Sequence, residues 1–344
     1  MKISLENDAC LVTIESFGGA ITDFHFKDAA QVNPLSFAFT PGQMPENNKN
    51  GAPYRGHFLC AGRWGFPSEG EIKNGLPNHG EAANIEWQTA TGKDSISMQA
   101  LAKKEGLHIE RTVQLDKDNA VIAVNECFTN INPLGRLYNV VQHPTLATPF
   151  LNKATIVNCN ATIGFDQRNY PDAAKNSFQF PQVKDNKGNS FSLNNPQEKY
   201  NSVFSFVVDA SSNIGWLTAY SPMHNLLLGY VWKRSDYPWI HLWQHWNEDK
   251  IMYRGIEFGT AGIHQPFPEI LNTATELFGE KTFAYIDAGE AVCKKYFAFI
   301  YKTENDFTET ESITVAADLI EIKTKENKTI KLATSISLIN ELQG

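Results

Sequence analysis

Short runs of alternating apolar and polar residues, each bounded by Gly, Pro, Asn or Asp, recur along the whole chain. A two-residue period places successive side chains on opposite faces of an extended backbone, so these runs predict β-strands separated by turns. Long amphipathic helices are scarce, and the best helix candidate, residues 268–278, is short. The clearest strand candidates are residues 11–15, 20–27, 108–115, 120–128, 202–209 and 226–232.

Many short strands without intervening helices favour an all-β sandwich or barrel over a parallel α/β sheet. The 344 residues contain no repeat of fixed period and no low-complexity linker. We therefore expect a single domain spanning residues 1–344. Residues 166–200, rich in Asn, Asp, Lys, Pro and Gln, predict a long surface loop.

The C-terminal segment predicts two further strands, residues 313–324 and 329–333, joined by a Lys-Glu-Asn-Lys turn. An isolated hairpin is only marginally stable in water. We therefore expect residues 304–344 to close the same sandwich rather than to form a separate module.

Charge and hydropathy exclude several classes of partner. The net charge is −8 and no Lys/Arg-rich run is present, so a phosphate backbone is repelled and nucleic acid is not expected as a partner. The first 16 residues carry charges where a secretory signal needs an apolar run. No window approaches the roughly 18 apolar residues of a membrane span. These observations predict a cytoplasmic protein, and they leave the oligomeric state open.

The five cysteines, Cys10, Cys60, Cys127, Cys159 and Cys293, are scattered and form no CxxC pair or Cys/His cluster. This pattern predicts reduced thiols in a cytoplasm and gives no basis for a structural metal site. No cofactor is expected.

Two Gly-punctuated loops carry the first candidate site residues, Arg63 in residues 62–65 and His79 in residues 75–82. Loops of this kind place polar groups at the mouth of a rigid β scaffold. The alternative is that His79 only caps a turn.

Two strand-like segments carry the other candidates. An apolar run ends in Gln142 and His143, followed by Pro144, which predicts that strand pairing stops there. In residues 253–260, alternation separates Glu257 from the apolar face. The alternatives are a buried, hydrogen-bonded His143 and a solvated Glu257 on an exposed strand face.

Together these residues supply one carboxylate, two imidazoles and a guanidinium, without a metal motif or a serine nucleophile motif. Such a set suits exchange at the anomeric carbon of a sugar. A base removes the proton of the C1 hydroxyl, an acid protonates the ring oxygen, and reclosure from the other face inverts C1. An imidazole can hold or release that proton near neutral pH.

The order and context of these motifs resemble the aldose 1-epimerases of the galactose mutarotase-like superfamily, over roughly residues 1–301. Two turns, residues 17–21 and 288–290, also resemble turns of that family. The motifs that carry the resemblance are Gly62-Arg63, His79-Gly80, His143-Pro144 and Gly255-Ile256-Glu257.

The resemblance implies a β-supersandwich of antiparallel sheets, with a sugar-binding cleft across one sheet. It implies Glu257 as the base on the C1 hydroxyl and His143 as the acid on the ring oxygen. It also implies that Arg63 and His79 bind and polarise the sugar.

Residues 241–246 add aromatic side chains that could stack on a sugar face, for which core packing is the alternative. We include Trp243 and Gln142 among the substrate-binding candidates. Galactose mutarotases also grip sugar hydroxyls with an Asp between the second His and the Glu. The aspartates in this interval lack the expected context: Asp166, Asp209 and Asp236.

The leading hypothesis is interconversion of the anomers of a hexose or hexose derivative. A catalytically silent carbohydrate-binding protein is one alternative. A hexose-6-phosphate epimerase is another, because several cations could recognise phosphate: Arg168, Lys233, Arg234 and Arg254. A glycosidase needs a matched carboxylate pair, and its second member would come from Glu69, Glu71 or Glu81.

Overall fold

The computed structural model describes residues 1–28, 30–196, 199–316, 318–336 and 342. Two large antiparallel sheets dominate it. The strands, numbered along the chain, confirm the predicted all-β fold. Each of the six strands predicted above overlaps an observed strand.

The first sheet has twelve strands in the order β1-β2-β3-β4-β10-β20-β19-β16-β12-β13-β14-β15. Their bounds are β1 Lys2–Glu6, β2 Cys10–Glu15, β3 Ile21–Phe26, β4 His57–Ala61, β10 Val140–Ala147, β12 Ala161–Asp166, β13 Phe178–Gln179, β14 Gln182–Lys184, β15 Ser190–Ser192, β16 Ser202–Val208, β19 Trp239–Asn247 and β20 Lys250–Gly259.

The second sheet has eight strands in the order β11-β17-β18-β24-β8-β7-β6-β5. Their bounds are β5 Gln88–Thr91, β6 Ser95–Ala102, β7 Leu107–Leu115, β8 Val121–Asn130, β11 Ile156–Cys159, β17 Ile214–Ser221, β18 Leu226–Lys233 and β24 Ala291–Lys302. Small sheets are formed by β9 Arg136–Tyr138 with β23 Ala284–Ile286, and by β21 Glu276–Leu277 with β22 Glu280–Lys281.

The main core lies between the two large sheets. Alternation along β20 turns Ile256 and Phe258 towards it, and both are fully buried. From the second sheet, Trp232 stacks on Phe258 with ring centroids 4.1 Å apart. The opposite face of the same first-sheet strands is therefore left for other contacts.

The C-terminal segment forms a three-stranded sheet, β25 Thr310–Ala316, β26 Leu319–Thr324 and β27 Thr329–Ala333. The prediction of one continuous strand over residues 313–324 is wrong, because a turn separates β25 from β26. Ile313, Ile320 and Ile322 are buried in one cluster with Trp216 and Phe297 of the second sheet. The small sheet therefore covers the outer face of the second sheet.

The two α-helices of the described residues are short: α1 Glu69–Lys73 and α2 Phe267–Thr273. The helix predicted over residues 268–278 ends earlier, because the chain turns into β21. The sequence reasoning missed α1, which begins with a capping box between Ser68 and Glu71. Among the helices of the described residues, none is both long and apolar enough to cross a membrane.

Residues 166–200 are more ordered than the predicted loop. They contain a 3₁₀ helix, Gln167–Asp172, followed by β13, β14 and β15, which extend the first sheet at its edge. The other 3₁₀ helices are Pro41–Gln43, Glu46–Asn48 and Pro222–His224.

Strand β10 does not end at Pro144 as predicted. It continues to Ala147 and pairs with β4 and β20. The ladder with β20 is interrupted at His143 and Pro144 and resumes at Thr145. The missing N–H of proline is thus accommodated inside a paired strand.

Cys127 and Cys293 form a disulfide, so the prediction of reduced thiols is wrong for this pair. The two residues lie 166 positions apart in the chain but directly opposite each other on β8 and β24. Only the sheet pairing reveals their proximity. Cys10, Cys60 and Cys159 are free and buried. The cysteines thus lend no support to the predicted cytoplasmic location.

Candidate active site

The candidate site lies on the face of the first sheet that points away from the main core. Register aligns its side chains in cross-strand pairs, His143 with Phe58 and Glu257 with His241. Of these four, Phe58, His143 and Glu257 line a cavity of about 200 Å³. Its lining is mostly aromatic and contains the imidazoles of His79, His143 and His264. The lining residues are Phe37, Phe39, Pro45, Tyr54, Phe58, Trp64, Phe66, Asn78, His79, His143, Val203, Trp243, Glu257 and His264.

Glu257 is the one carboxylate among the described residues that line this cavity, and it is 1% exposed. Its Oε2 accepts a hydrogen bond from Trp64 Nε1 at 3.1 Å, and its Oε1 lies 3.2 Å from His143 Nε2. Burial raises the pKa of Glu257 well above its usual range, and the Trp64 bond opposes this only in part. Burial penalises the charged form, so the carboxyl group favours its protonated form.

The lack of space around Gly255 explains why the Gly-Ile-Glu motif begins with glycine. A Cβ at this position would lie 2.6 Å from Glu257 Oε1 and 3.2 Å from Trp243 Cβ. Any side chain there would displace the carboxylate or the indole.

His143 is held by contacts on both ring nitrogens and on its face. Its Nδ1 lies 3.0 Å from Thr145 Oγ1, its Nε2 faces Glu257, and its ring stacks on Phe58 at 4.2 Å. Burial lowers the pKa of His143 well below the usual imidazole value. Desolvation therefore favours a neutral ring beside a protonated Glu257.

His79 reaches the cavity from its loop through a left-handed backbone conformation, φ +60°. Its Nδ1 accepts a hydrogen bond from the Gly65 N–H at 3.3 Å, so the proton of the neutral ring resides on Nε2. The ring centroids of His79 and His143 are 5.5 Å apart. Burial lowers the pKa of His79, and His143 contributes to the shift.

Trp243 lines the cavity next to these groups, with its ring centroid 6.2 Å from that of His143. Trp246 instead packs in the main core, so core packing is the correct interpretation for that residue. The structure thus brings together Glu257, His143, His79 and Trp243.

Arg63 and Gln142 lie elsewhere. Arg63 Nε donates to Glu105 Oε1 at 2.8 Å, and its Nη1 lies 2.8 Å from Glu71 Oε2. Neither Arg63 nor Gln142 is among the residues that line the cavity. Gln142 is buried on the core face, where its Nε2 donates to Glu126 Oε2 at 2.5 Å.

Most residues that line the cavity were not predicted, and two of them, Trp64 and His264, pack with each other, while His241 stacks on Trp64 outside the lining. Trp64 lies next to Arg63 in its motif and packs between His241, at 4.0 Å, and His264, at 4.6 Å. His241 Nδ1 lies 2.7 Å from Ser205 Oγ, while its Nε2 has no partner among the described residues. His241 belongs to residues 241–246, the aromatic segment already selected for Trp243, so the sequence could have indicated it. No motif indicated His264.

The cations considered for phosphate binding do not line this cavity in the part of the chain that the structure describes. Arg254 is buried on the core face and donates to the carbonyl of Leu193, and burial lowers its pKa to about 10. Arg168 pairs with Asp166 at 2.8 Å, and Arg234 pairs with Glu280. Within the described residues, no group of three or more His, Cys, Asp or Glu is placed to hold a metal ion.

No known family model matches the chain, and no curated protein matches its sequence. Solved structures with a similar fold do exist. A galactose mutarotase related enzyme from Lactobacillus acidophilus aligns with a TM-score of 0.61 and 14% identity, covering 88% of this chain and 99% of that one. A galactose mutarotase-like protein from Lactobacillus casei gives 0.58 and 14%, covering 88% and 100%.

An aldose epimerase homologue from C. elegans aligns with a TM-score of 0.56 and 12% identity, covering 88% of this chain and 99% of that one. Identities this low carry the fold but not the activity. The predicted β-supersandwich is confirmed: this chain has the fold of the galactose mutarotase-like proteins.

Proposed function

We propose that the protein is an aldose 1-epimerase-type enzyme that interconverts the anomers of a hexose or hexose derivative. The observation that carries this proposal is the 3.2 Å approach of Glu257 Oε1 and His143 Nε2 at the wall of a small aromatic cavity. One proton-accepting and one proton-donating group can thus reach a single sugar ring.

In the proposed reaction, Glu257 takes the proton of the C1 hydroxyl while His143 donates a proton to the ring oxygen. The C1–O5 bond breaks and C1 becomes an aldehyde. After rotation about the C1–C2 bond, the reverse proton transfers close the ring on the other face of C1. No atom or electron is gained or lost.

Burial disfavours the charged form of both groups, so in the free protein Glu257 holds the proton and the His143 ring is neutral. A sugar hydroxyl donated to Glu257 Oε1, which has no hydrogen-bond partner among the described residues, stabilises the carboxylate. It thereby moves the proton to His143 and sets up the base and the acid.

Two further groups fit sugar binding. The partly exposed Trp243 ring offers an apolar face to the C–H face of a pyranose. The Nε2–H of His79 is a donor for a sugar oxygen.

A catalytically silent carbohydrate-binding protein is the second candidate. It is favoured by Arg63, whose guanidinium is engaged by Glu71 and Glu105 and does not line the cavity. A hexose-6-phosphate epimerase is disfavoured, because the described lining of this cavity includes no cation.

The test is anomer exchange measured by NMR for a panel of aldoses, with the wild type and Glu257→Gln. We expect acceleration by the wild type and a loss of about 10²–10⁴-fold in the variant. The matched control is Glu110→Gln, an exposed position on β7, which should keep full activity.

Full activity in Glu257→Gln would refute the proposed mechanism. Sugar binding by the wild type without faster exchange would favour the silent binding protein. A thermal melt of each variant shows whether the fold is retained.

A further inference from the structure

Trp64 contacts the carboxyl group that the proposed reaction uses. Its indole N–H donates to Glu257 Oε2 at 3.1 Å, and both side chains are buried. An indole can only donate a hydrogen bond, so Oε2 is the accepting, carbonyl-like oxygen. The proton of the neutral carboxyl group therefore resides on Oε1, the oxygen that lies 3.2 Å from His143 Nε2.

The loop that carries Trp64 is fixed by ion pairs and by a glycine. Arg63, the preceding residue, lies 2.8 Å from both Glu105 Oε1 and Glu71 Oε2. Gly62 has a left-handed backbone, φ +90°, and a Cβ there would lie 2.5 Å from the carboxyl carbon of Glu105. The backbone immediately before Trp64 is thus held in one conformation.

Two imidazoles hold the indole ring of Trp64 itself. The His241 ring stacks on it with centroids 4.0 Å apart, and the His264 ring meets it nearly at a right angle, at 4.6 Å. Gln167 supports both imidazoles. Its Nε2 donates to Ser205 Oγ, which lies 2.7 Å from His241 Nδ1. Its Oε1 accepts from the His264 backbone N–H at 2.9 Å. The orientation of the indole is therefore fixed from two sides.

The titratable groups around Glu257 carry no charge in their neutral forms that could replace this hydrogen bond. Burial lowers the pKa of each imidazole among them and raises that of the thiol, so all favour the neutral form. The described lining of the cavity includes no Lys or Arg. The Trp64 bond lowers the pKa of Glu257 against the effect of burial. These groups are His143 on β10, His241 on β19, Cys60 on β4, and His79 and His264 from loops.

We infer that Trp64 is a positioning residue that directs the proton of Glu257 to Oε1 and stabilises the carboxylate once that proton has moved to His143. In the transfer the Oε1–H bond breaks and an Nε2–H bond forms, and the electron pair of the broken bond remains on the carboxylate. The indole keeps its own proton. The catalytic consequence rests on the proposed function, whereas the placement of the proton does not.

The experiment removes the indole N–H with Trp64→Phe and observes the Glu257 carboxyl group directly, without any sugar. Infrared difference spectra isolate its C=O band, each protein being compared with the same protein that also carries Glu257→Gln. NMR anomer exchange is measured in parallel. A second variant, Ser205→Ala, removes a support of His241 without changing the lining of the cavity.

The matched control is Trp232→Phe. Trp232 also loses a buried indole hydrogen bond in this change, but that bond runs to the Tyr237 carbonyl in the core, at 2.8 Å. A thermal melt of each variant shows whether the fold is retained.

We expect the C=O band to move to higher wavenumber in Trp64→Phe, because its oxygen loses a hydrogen bond. The pKa of Glu257, from the pH dependence of the band, should rise by about one unit, the effect of losing one hydrogen bond to a charged group. Anomer exchange should slow about tenfold, because the proton lies on His143 in about a tenth as many molecules. Ser205→Ala should shift the band in the same direction by less, and Trp232→Phe should leave it unchanged.

An unmoved band and an unchanged pKa in folded Trp64→Phe and Ser205→Ala would overturn the inference, as would an equal shift in Trp232→Phe. If Trp64→Phe does not fold, Ser205→Ala decides the result by itself. A shifted band in a protein that accelerates no anomer exchange would retain the proton placement and refute the proposed function. Unchanged exchange in folded Trp64→Phe would refute the catalytic consequence.

Discussion

Two clusters of buried polar side chains lie on opposite faces of the first sheet, one around Gln142 and one around Glu257, and they differ in how completely they are paired. On the core face, Glu126 accepts from Arg111 at 2.7 Å and from Gln142 at 2.5 Å. Gln142 Oε1 lies 3.0 Å from His57 Nε2, and His57 Nδ1 lies 3.4 Å from the Tyr230 hydroxyl. This network is closed.

On the site face, Glu257 Oε1 lies 3.2 Å from His143 Nε2 without a hydrogen bond of good geometry, and His241 Nε2 has no hydrogen-bond partner among the described residues. An unpaired buried polar atom is destabilising by roughly 1–3 kcal/mol. Gln142 and His143 are adjacent on β10, yet Gln142 lies in the core-face network and His143 lies at the cavity. The closed network lies in the core between the sheets, whereas Glu257 lies at the wall of the cavity.

The largest effect should follow from removing the imidazole on the site face. His143→Phe keeps the stacking on Phe58 and removes the proton donor. We expect anomer exchange to slow by about 10²–10⁴-fold while the thermal midpoint stays within a few degrees. A midpoint collapse with normal activity per folded molecule would show that the site face is structural.

Breaking the core-face network should lower stability and leave the rate of anomer exchange almost unchanged. Glu126→Gln leaves the Arg111 charge buried without a carboxylate, which should lower the free energy of unfolding by about 3–5 kcal/mol. Exchange per folded molecule should change little. Urea unfolding measures the first quantity, and Glu110→Gln, the exposed neighbour of Arg111, serves as the control.

A methyl group at the site should have an intermediate effect. In Gly255→Ala the new Cβ would displace Glu257 Oε1, which it would otherwise approach to 2.6 Å. A misplacement near 1 Å can slow catalysis by about 10²-fold, so we expect a loss of that size in kcat/KM. The same assay with Gly70→Ala, where a new Cβ meets nothing within 4 Å and the backbone is not left-handed, controls for the added methyl group itself. Equal losses in the two variants would contradict the steric argument.

Acid should destabilise both faces gradually. Burial lowers the pKa of His57, on the core face, to about 3 and that of His264, at the site, to about 4. The unfolded chain binds protons below about pH 6.5, so stability falls with pH between that value and each folded-state pKa.

Each such group should contribute a slope of about 1.4 kcal/mol per pH unit. His57→Gln should reduce the slope of unfolding free energy by one group's share, measured by urea titrations from pH 7 to pH 5. An unchanged slope would mean that His57 is not held neutral in the folded protein.

Much of this protein could be predicted from local patterns. The two-residue period predicts the strands, because alternation depends only on neighbouring residues, and it also places Glu257 on the face opposite Ile256 and Phe258. The separation of β25 from β26, the early end of α2 and the pairing of Cys127 with Cys293 could not be predicted in this way. They depend on how separate segments pack.

The sequence by itself determined the all-β fold and the motifs that carry Glu257, His143 and His79, since both depend on residues that are close together in the chain. Only the tertiary structure decided which side chains meet. It turned Arg63 towards Glu71 and Glu105, placed Gln142 in the core, and added Trp64 and His264 to the site, with His241 stacked on Trp64. The physical reason is that strand register and loop packing bring distant residues into contact, and no local pattern encodes those pairings.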